Sequence, residues 1–145
     1  MQKLKINDII KRIERQETFE ATAFDNSFSI KINRYVPYCC TAIHDGSNFR
    51  EQLKKKISLD EFQRWFEEDP HTGEFITAMP ITISGLDSRF EYDLNRRSED
   101  CIYEEAWGNK VWKRPLTPTE RQASKQKHFN FYKVVHAIIS KLEEL

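Results

Sequence analysis

The chain has 145 residues, and its 23 Lys and Arg are matched by 23 Asp and Glu, so the formal net charge is zero. That balance argues against a dedicated nucleic-acid-binding protein, which normally gathers a basic excess on one face. Apolar residues make up 39% of the sequence and aromatic residues 12%, which argues against intrinsic disorder and predicts one globular domain over residues 1–145.

The N-terminal part predicts a helix followed by a β-hairpin. Apolar residues recur at helical spacing over residues 4–15, with charged residues between them. Residues 19–32 alternate apolar and polar side chains on both sides of an Asp-Asn-Ser turn signal. Residues 1–34 are therefore predicted as helix plus hairpin, and residues 35–145 as the α/β portion.

Two apolar runs in the α/β portion predict strands. Residues 35–43 are almost wholly apolar, which is typical of a strand buried on both faces in a helix-covered parallel sheet. A second run leads through Pro80 to residue 83. Two short polar helices are predicted between these runs, the second capped by Asp60.

The C-terminal half is predicted as an extended segment, an irregular segment and a long helix. Extended structure resumes at residues 90–94, and residues 97–117 are irregular. A Thr-Pro-Thr-Glu start signal at residues 117–120 then opens a helix that runs to Leu145. No glycine cap or strand follows this helix, as a parallel α/β fold would require, so we expect a domain cut short after it. Its unpaired sheet edge and uncovered helix face predict either self-association or a bound partner that covers them.

The subcellular prediction depends on what the sequence lacks. No stretch approaches the roughly 20 apolar residues of a membrane helix, and the N-terminus has no signal-peptide core. Cys39 and Cys40 are sequence neighbours that do not readily bridge each other, and Cys101 is the third cysteine. Free thiols in a reducing compartment are the simplest interpretation. We therefore expect a cytoplasmic protein without membrane or nucleic-acid partners.

His44 directly follows the first predicted strand, where ligands of open α/β sheets gather. Imidazole is a good zinc ligand, and Gly46 allows the backbone to turn sharply beside a bound ion. Asp69, in the acidic loop 67–71, is a candidate second ligand, because catalytic zinc usually combines histidine with carboxylate. The alternatives are a half-buried histidine that caps a turn and a solvated run of charges around Pro70.

Residues 88–96 carry the other candidate groups. Alternation along a strand would place Arg89, Asp93 and Asn95 on one side, with Arg96 at the strand end. A guanidinium binds a carboxylate through two parallel hydrogen bonds, and an amide can donate beside it. Asp93 would orient an arginine or a histidine. A surface strand with ordinary ion pairs is the alternative.

The pattern Ser-Arg-Phe-x-x-Asp-Leu-Asn-Arg at residues 88–96, preceded by a strand ending in His-x-Gly and by an acidic loop, resembles the N-formylglutamate amidohydrolase family. That family is related to aspartoacylases and zinc carboxypeptidases. The resemblance implies a phosphorylase/hydrolase-like α/β fold, a mixed sheet with flanking helices, of which this chain is the N-terminal portion. It implies Zn²⁺ as cofactor. The residue roles that it implies are metal ligation by His44 and Asp69, catalysis and carboxylate binding by Asn95 and Arg96, and substrate-site support from Arg89 and Asp93.

Two departures from the family limit what the resemblance implies. The related peptidases have His-x-x-Glu where this chain has His44-Asp45-Gly46-Ser47. The family's later Asp-x-His-Ser segment, which supplies another metal-ligand histidine, lies beyond Leu145. His128 and His136, in the long helix, are interpreted as packing and surface residues.

The predicted activity is zinc-dependent hydrolysis of the amide bond of an N-acyl amino acid such as N-formylglutamate. Two alternatives remain. One is a non-catalytic domain that binds an acidic metabolite or a partner. The other is a peptidase or amidase that acts on larger peptides, such as those of cell walls, which an open groove beside His44 would favour.

Overall fold

The computed structural model describes residues 1–145 and has a mixed α/β fold built on one five-stranded sheet. The sheet strands are β1 (Gln2–Leu4), β2 (Phe19–Ala23), β3 (Phe28–Ile32), β4 (Cys40–Ala42) and β5 (Ile81–Gly85). The helices are α1 (Ile6–Glu14), α2 (Glu51–Lys54), α3 (Glu61–Glu67), α4 (Thr72–Phe75) and α5 (Pro118–Glu143). A small separate hairpin consists of β6 (Glu105–Ala106) and β7 (Asn109–Lys110).

The sheet has the strand order β1-β2-β3-β5-β4. The central strands β2, β3 and β5 are antiparallel to one another, whereas β1 and β4 each pair in parallel with their neighbour. The strand predicted over residues 35–43 forms as β4 and pairs in parallel with β5, but the predicted length and the burial on both faces are wrong. Only three of these residues form β4, which lies at the sheet edge with Thr41 exposed. Pro37 has no backbone N–H to donate to a ladder, and this helps to explain why the strand begins only at Cys40.

Only one face of the sheet is apolar. Phe28, Ile30 and Ile32 of β3 are buried and form part of the main core, to which α1 and α5 also contribute. The ring of Phe131 in α5 meets Phe28 edge-on, with 5.7 Å between the centroids. The opposite face is polar, so it does not need a second layer of helices. Its residues include Glu20, Thr22, Ser29 and Lys31.

The elements predicted from apolar periodicity and capping residues are present in the structure. The amphipathic helix, the β2–β3 hairpin and the long C-terminal helix are confirmed. The Thr117 side chain accepts the Glu120 N–H, and the Glu120 carboxylate accepts the Thr117 N–H, which forms a capping box at the start of α5. Asp60 caps α3 in the same way.

The extended structure predicted within residues 88–96 is wrong, because the segment folds as consecutive turns. The Arg96 N–H donates to the Asp93 carbonyl at 3.1 Å, and the Asn95 N–H donates to the Asp93 carboxylate at 2.7 Å. Aspartate favours turns because its side chain can bind the backbone two residues ahead. Both Glu91 and Asp93 are fully buried, so the polar positions do not share an exposed face.

No helix is long and apolar enough to cross a membrane. Cys39, Cys40 and Cys101 are all free, and Cys101 is buried.

Candidate functional site

His44 lies just beyond the carboxyl end of β4, with 7% of its surface exposed. Its two ring nitrogens face two different carboxylates. The Nε2 atom is 2.7 Å from Asp93 Oδ1, and Nδ1 is 3.3 Å from Asp69 Oδ2. The Asp69 N–H also donates to the His44 carbonyl at 3.1 Å, which ties the acidic loop to the histidine turn. Three residues proposed from separate segments of the sequence therefore meet at one place.

The turn after His44 packs directly against the chain that leaves β5. A Cβ atom added to Gly46 would lie 2.1 Å from the carbonyl carbon of Leu86, and no real side chain tolerates that distance. The Asn48 N–H donates to the Leu86 carbonyl at 3.1 Å, and the Ser88 N–H donates to the Asn48 carbonyl at 2.8 Å. Glycine is therefore required here for close approach of two backbones.

Asp93 is the centre of the buried hydrogen-bond network. Its carboxylate accepts from the His44 ring, from Arg89 Nη2 at 2.9 Å, from the Asn95 N–H and from the Tyr103 hydroxyl. Burial alone would raise the pKa of this carboxyl. The hydrogen bonds from His44, Tyr103, Asn95 and Arg89 outweigh burial and hold the pKa of Asp93 well below its usual range.

The ionised state of Asp93 determines where His44 carries its hydrogen. An ionised carboxylate can only accept hydrogen bonds, so the hydrogen that faces Asp93 belongs to His44 Nε2. In the neutral imidazole, Nδ1 then presents a lone pair towards the Asp69 carboxylate. The Asp69 side chain is 56% exposed, so this side of the histidine opens to solvent.

Arg89 is committed to the protein itself. One terminal nitrogen binds Asp93, the other donates to the Glu67 carbonyl at 2.9 Å, and the buried Nε has no partner. The guanidinium carbon lies 5.0 Å from the Trp107 ring centroid. The structure therefore makes Arg89 a support for Asp93 and does not leave it free to grip a substrate carboxylate.

Arg96 is a free cation at the solvent-facing rim. Its guanidinium lies over the Tyr103 ring at 5.9 Å and forms no ion pair with a carboxylate. The backbone that carries it is fixed by α5. His128 Nε2 donates to the Arg96 carbonyl at 2.8 Å, and the Tyr132 hydroxyl donates to the Leu94 carbonyl. Asn95 is exposed beside Arg96. His128, predicted to be a packing residue, thus also helps to hold the turn.

Tyr103 is a site residue that the sequence does not reveal. It lies in the segment predicted to be irregular, and no motif distinguishes it there. Burial raises the pKa of Tyr103, as does its hydrogen bond to the Asp93 carboxylate. Glu68 was also missed. It is buried beside the site, accepts from the Ser88 hydroxyl, and has a pKa that burial raises.

The arrangement provides two candidate metal ligands, His44 and Asp69. No group of three or more His, Cys, Asp or Glu side chains is arranged to hold a metal ion. Comparison with protein-family models, curated proteins and solved structures gives no match. A functional interpretation therefore depends on the geometry around His44 and on the residues that surround it.

Proposed function

We propose that this chain is part of a metal-dependent amidase similar to N-formylglutamate amidohydrolases, with a phosphorylase/hydrolase-like fold. The proposed reaction is hydrolysis of the amide bond of an N-acyl amino acid such as N-formylglutamate. The single observation that carries the proposal is the position of His44, whose Nδ1 lies 3.3 Å from Asp69 while Asp93 holds the other nitrogen.

The spacing of His44 and Asp69 supports zinc as the metal, with these two residues as two of the ligands that it would need. Zinc binds histidine nitrogen and carboxylate oxygen at about 2.0–2.2 Å, so two tetrahedral ligands lie roughly 3.3 Å apart. The Nδ1–Oδ2 distance is also 3.3 Å. Two lone pairs that face each other at this distance repel unless a proton or a cation lies between them. Metal-binding histidines usually donate their second N–H to a carboxylate, and Asp93 accepts such a hydrogen bond from His44.

The remaining groups support recognition of an anionic substrate. Zinc bound by His44 and Asp69 would supply Lewis-acid polarisation of the carbonyl and a water of lowered pKa. Arg96 binds the substrate carboxylate through its planar guanidinium, since no protein carboxylate neutralises it. Asp93 keeps His44 in one tautomer and orientation. Arg89 and Tyr103 keep Asp93 ionised and in place.

A peptidase or amidase with larger substrates is a second candidate. Asp69 has 56% of its side chain exposed, and Asn95 and Arg96 are exposed as well, so the rim does not enclose a small ligand. A third reading, binding of an acidic metabolite without turnover, would use the same Arg96. An assay for released formate or free amino acid distinguishes these alternatives, because both enzymatic functions release product and binding without turnover does not.

Zinc titration of His44→Ala tests the metal site. Loss of a direct ligand should weaken zinc binding by more than about tenfold, because loss of an outer-shell partner alone costs 10–100-fold. His136→Ala is the matched control, since His136 is exposed on α5. Zinc affinity and amidase activity that survive undiminished in His44→Ala would overturn the proposal.

Arg96→Ala tests the carboxylate site, with its neighbour as the control. Arg97 is exposed and pairs with Asp100 at 2.8 Å, so Arg97→Ala changes the charge equally without touching the site. We expect Arg96→Ala to raise KM for N-formylglutamate by about tenfold or more, the loss typical of a hydrogen bond to a charged group. Equal effects of the two substitutions would contradict the assignment.

A further inference from the structure

A concave surface lies beside Arg89, between α3 and the β6–β7 hairpin. It has a volume of about 260 Å³. Pockets that hold a whole small-molecule ligand usually measure about 300–1,000 Å³, so this one suits a single large side chain. Most of its walls are apolar. The apolar lining residues are Leu59, Phe62, Phe66, Phe90, Ala106 and Trp107.

One wall is the aromatic side of α3. None of the residues of this helix is buried, and Phe62 and Phe66 are 69% and 67% exposed. Their rings pack edge-on, with 5.4 Å between the centroids. The helix begins at the Asp60 capping box and contributes no buried residue to the core. Its aromatic side chains therefore remain available to a ligand.

The opposite wall is Trp107, which occupies an unfavourable backbone position. It has φ 48° and precedes Gly108 with φ 75°, so the two residues form the loop of a hairpin with positive φ at both positions. Such loops strongly prefer Asn, Asp or Gly at the first position, and a bulky residue there is strained. The strained position places the indole against Phe90 at 5.9 Å and Tyr103 at 5.8 Å, with Arg89 over its ring.

Tyr103 connects this pocket to the carboxylate-binding rim. Its ring centroid lies 5.9 Å from the Arg96 guanidinium carbon and 5.8 Å from the Trp107 ring centroid. The guanidinium and the indole therefore lie within about 12 Å of each other, and aromatic rings in contact have centroids about 4.5–7 Å apart. A ligand whose carboxylate binds Arg96 can therefore bring an aromatic side chain into contact with Trp107. We propose that the pocket is a subsite for an aromatic or large aliphatic side chain of the N-acyl amino acid. This inference rests on the proposed function, and within that substrate class it favours apolar amino acids over glutamate.

The test compares two probes that share an acyl group and a carboxylate. N-acetyl-L-phenylalanine carries a ring for the pocket, and N-acetylglycine carries no side chain. Their dissociation constants are measured by NMR titration of the full 145-residue chain. We expect the phenylalanine derivative to bind about tenfold more tightly, which corresponds to partial burial of a phenyl ring. In Trp107→Asn the ratio of the two constants should fall below about threefold. Asparagine suits this turn, so the variant should fold.

Two further variants make the test specific. Phe66→Ala removes part of the α3 wall and should also reduce the ratio of the two dissociation constants. Phe24→Asn, at an aromatic residue 66% exposed in the β2–β3 turn, should leave the ratio unchanged. Equal affinities of the two probes for the wild type, or a ratio unchanged in Trp107→Asn and Phe66→Ala, overturn the subsite. Arg96→Ala separates this outcome from failure of the proposed function. If the phenylalanine derivative still binds more tightly but Arg96→Ala changes neither dissociation constant, only the carboxylate site is refuted. If neither probe binds, both proposals are refuted.

Discussion

Replacing Gly46 by alanine is expected to disrupt the turn that positions His44. The new Cβ would lie 2.1, 2.2 and 2.5 Å from the carbonyl carbon, oxygen and Cα of Leu86. Ordinary contacts begin near 3.4 Å, so the added carbon and the Leu86 carbonyl carbon must separate by at least about 1.3 Å to reach a normal carbon–carbon distance. All three nearest atoms are backbone atoms, and rotation of a side chain cannot relieve the clash.

The expected loss is about 3 kcal/mol of unfolding free energy, at the upper end of the usual cost of overpacking. A typical domain has only about 5–15 kcal/mol in total. Urea denaturation followed by tryptophan fluorescence measures the loss, because Trp112 is buried with 1% exposed. Zinc titration of the same variant reports on the position of His44. A displacement of the His44 turn by about 1 Å should weaken zinc binding by more than about tenfold.

Gly108→Ala is the matched control. Gly108 has φ 75° but no heavy atom within 4 Å of an added Cβ. Its replacement should therefore cost only the strain of a positive φ, about 1 kcal/mol, without any effect on zinc. The reasoning would be refuted by a Gly46→Ala protein that loses less than about 1 kcal/mol, or that loses no more than Gly108→Ala.

Two further predictions concern the packing around the site. His128→Ala removes a buried side chain and leaves the Arg96 carbonyl without its donor. It should cost about 2 kcal/mol in urea unfolding and weaken N-acetylglycine binding. Stability loss without weaker binding would count against the anchoring role. Burial, and then repulsion from Asp87, raises the pKa of Glu91, so the associated stability is fully present below the usual glutamate pKa near 4.3 and is lost as the pH rises through the raised value. Glu91→Gln should therefore flatten the pH dependence of the unfolding free energy above about pH 4.3, and parallel pH profiles for the two proteins would contradict this.

Secondary-structure elements whose signals lie in residues close together in the sequence could be predicted. The β2–β3 hairpin follows from alternation around a turn signal, and α5 follows from its capping box and apolar spacing. The sheet order could not be predicted, because β5 inserts between β3 and β4 from far along the chain. β1 was missed as well. Its three residues have no periodicity of their own, and they become a strand only by pairing with β2.

Residues 88–96 show how local chemistry can override a periodic pattern. Alternation predicted a strand, but the Asp93 carboxylate binds the Asn95 N–H and folds the chain into a turn. The fold nevertheless brings the candidates His44, Asp69 and Asp93 together. Tyr103 could not be found from the sequence. Its part in the site comes only from the fold, which brings its hydroxyl to Asp93.

The anchoring of the Asp93–Arg96 turn by α5 makes the helix a reporter of ligand binding. His128 and Tyr132 hold the carbonyls of Arg96 and Leu94, and Lys127 forms an ion pair with Asp87 at 2.9 Å. By thermodynamic linkage, a ligand that orders Arg96 must also stabilise the helical state of the residues that hold its backbone. Amide hydrogen exchange in the middle of α5 should then slow when substrate binds, although no substrate atom touches the helix. Conversely, any partner that displaced α5 would weaken substrate binding by the same coupling free energy.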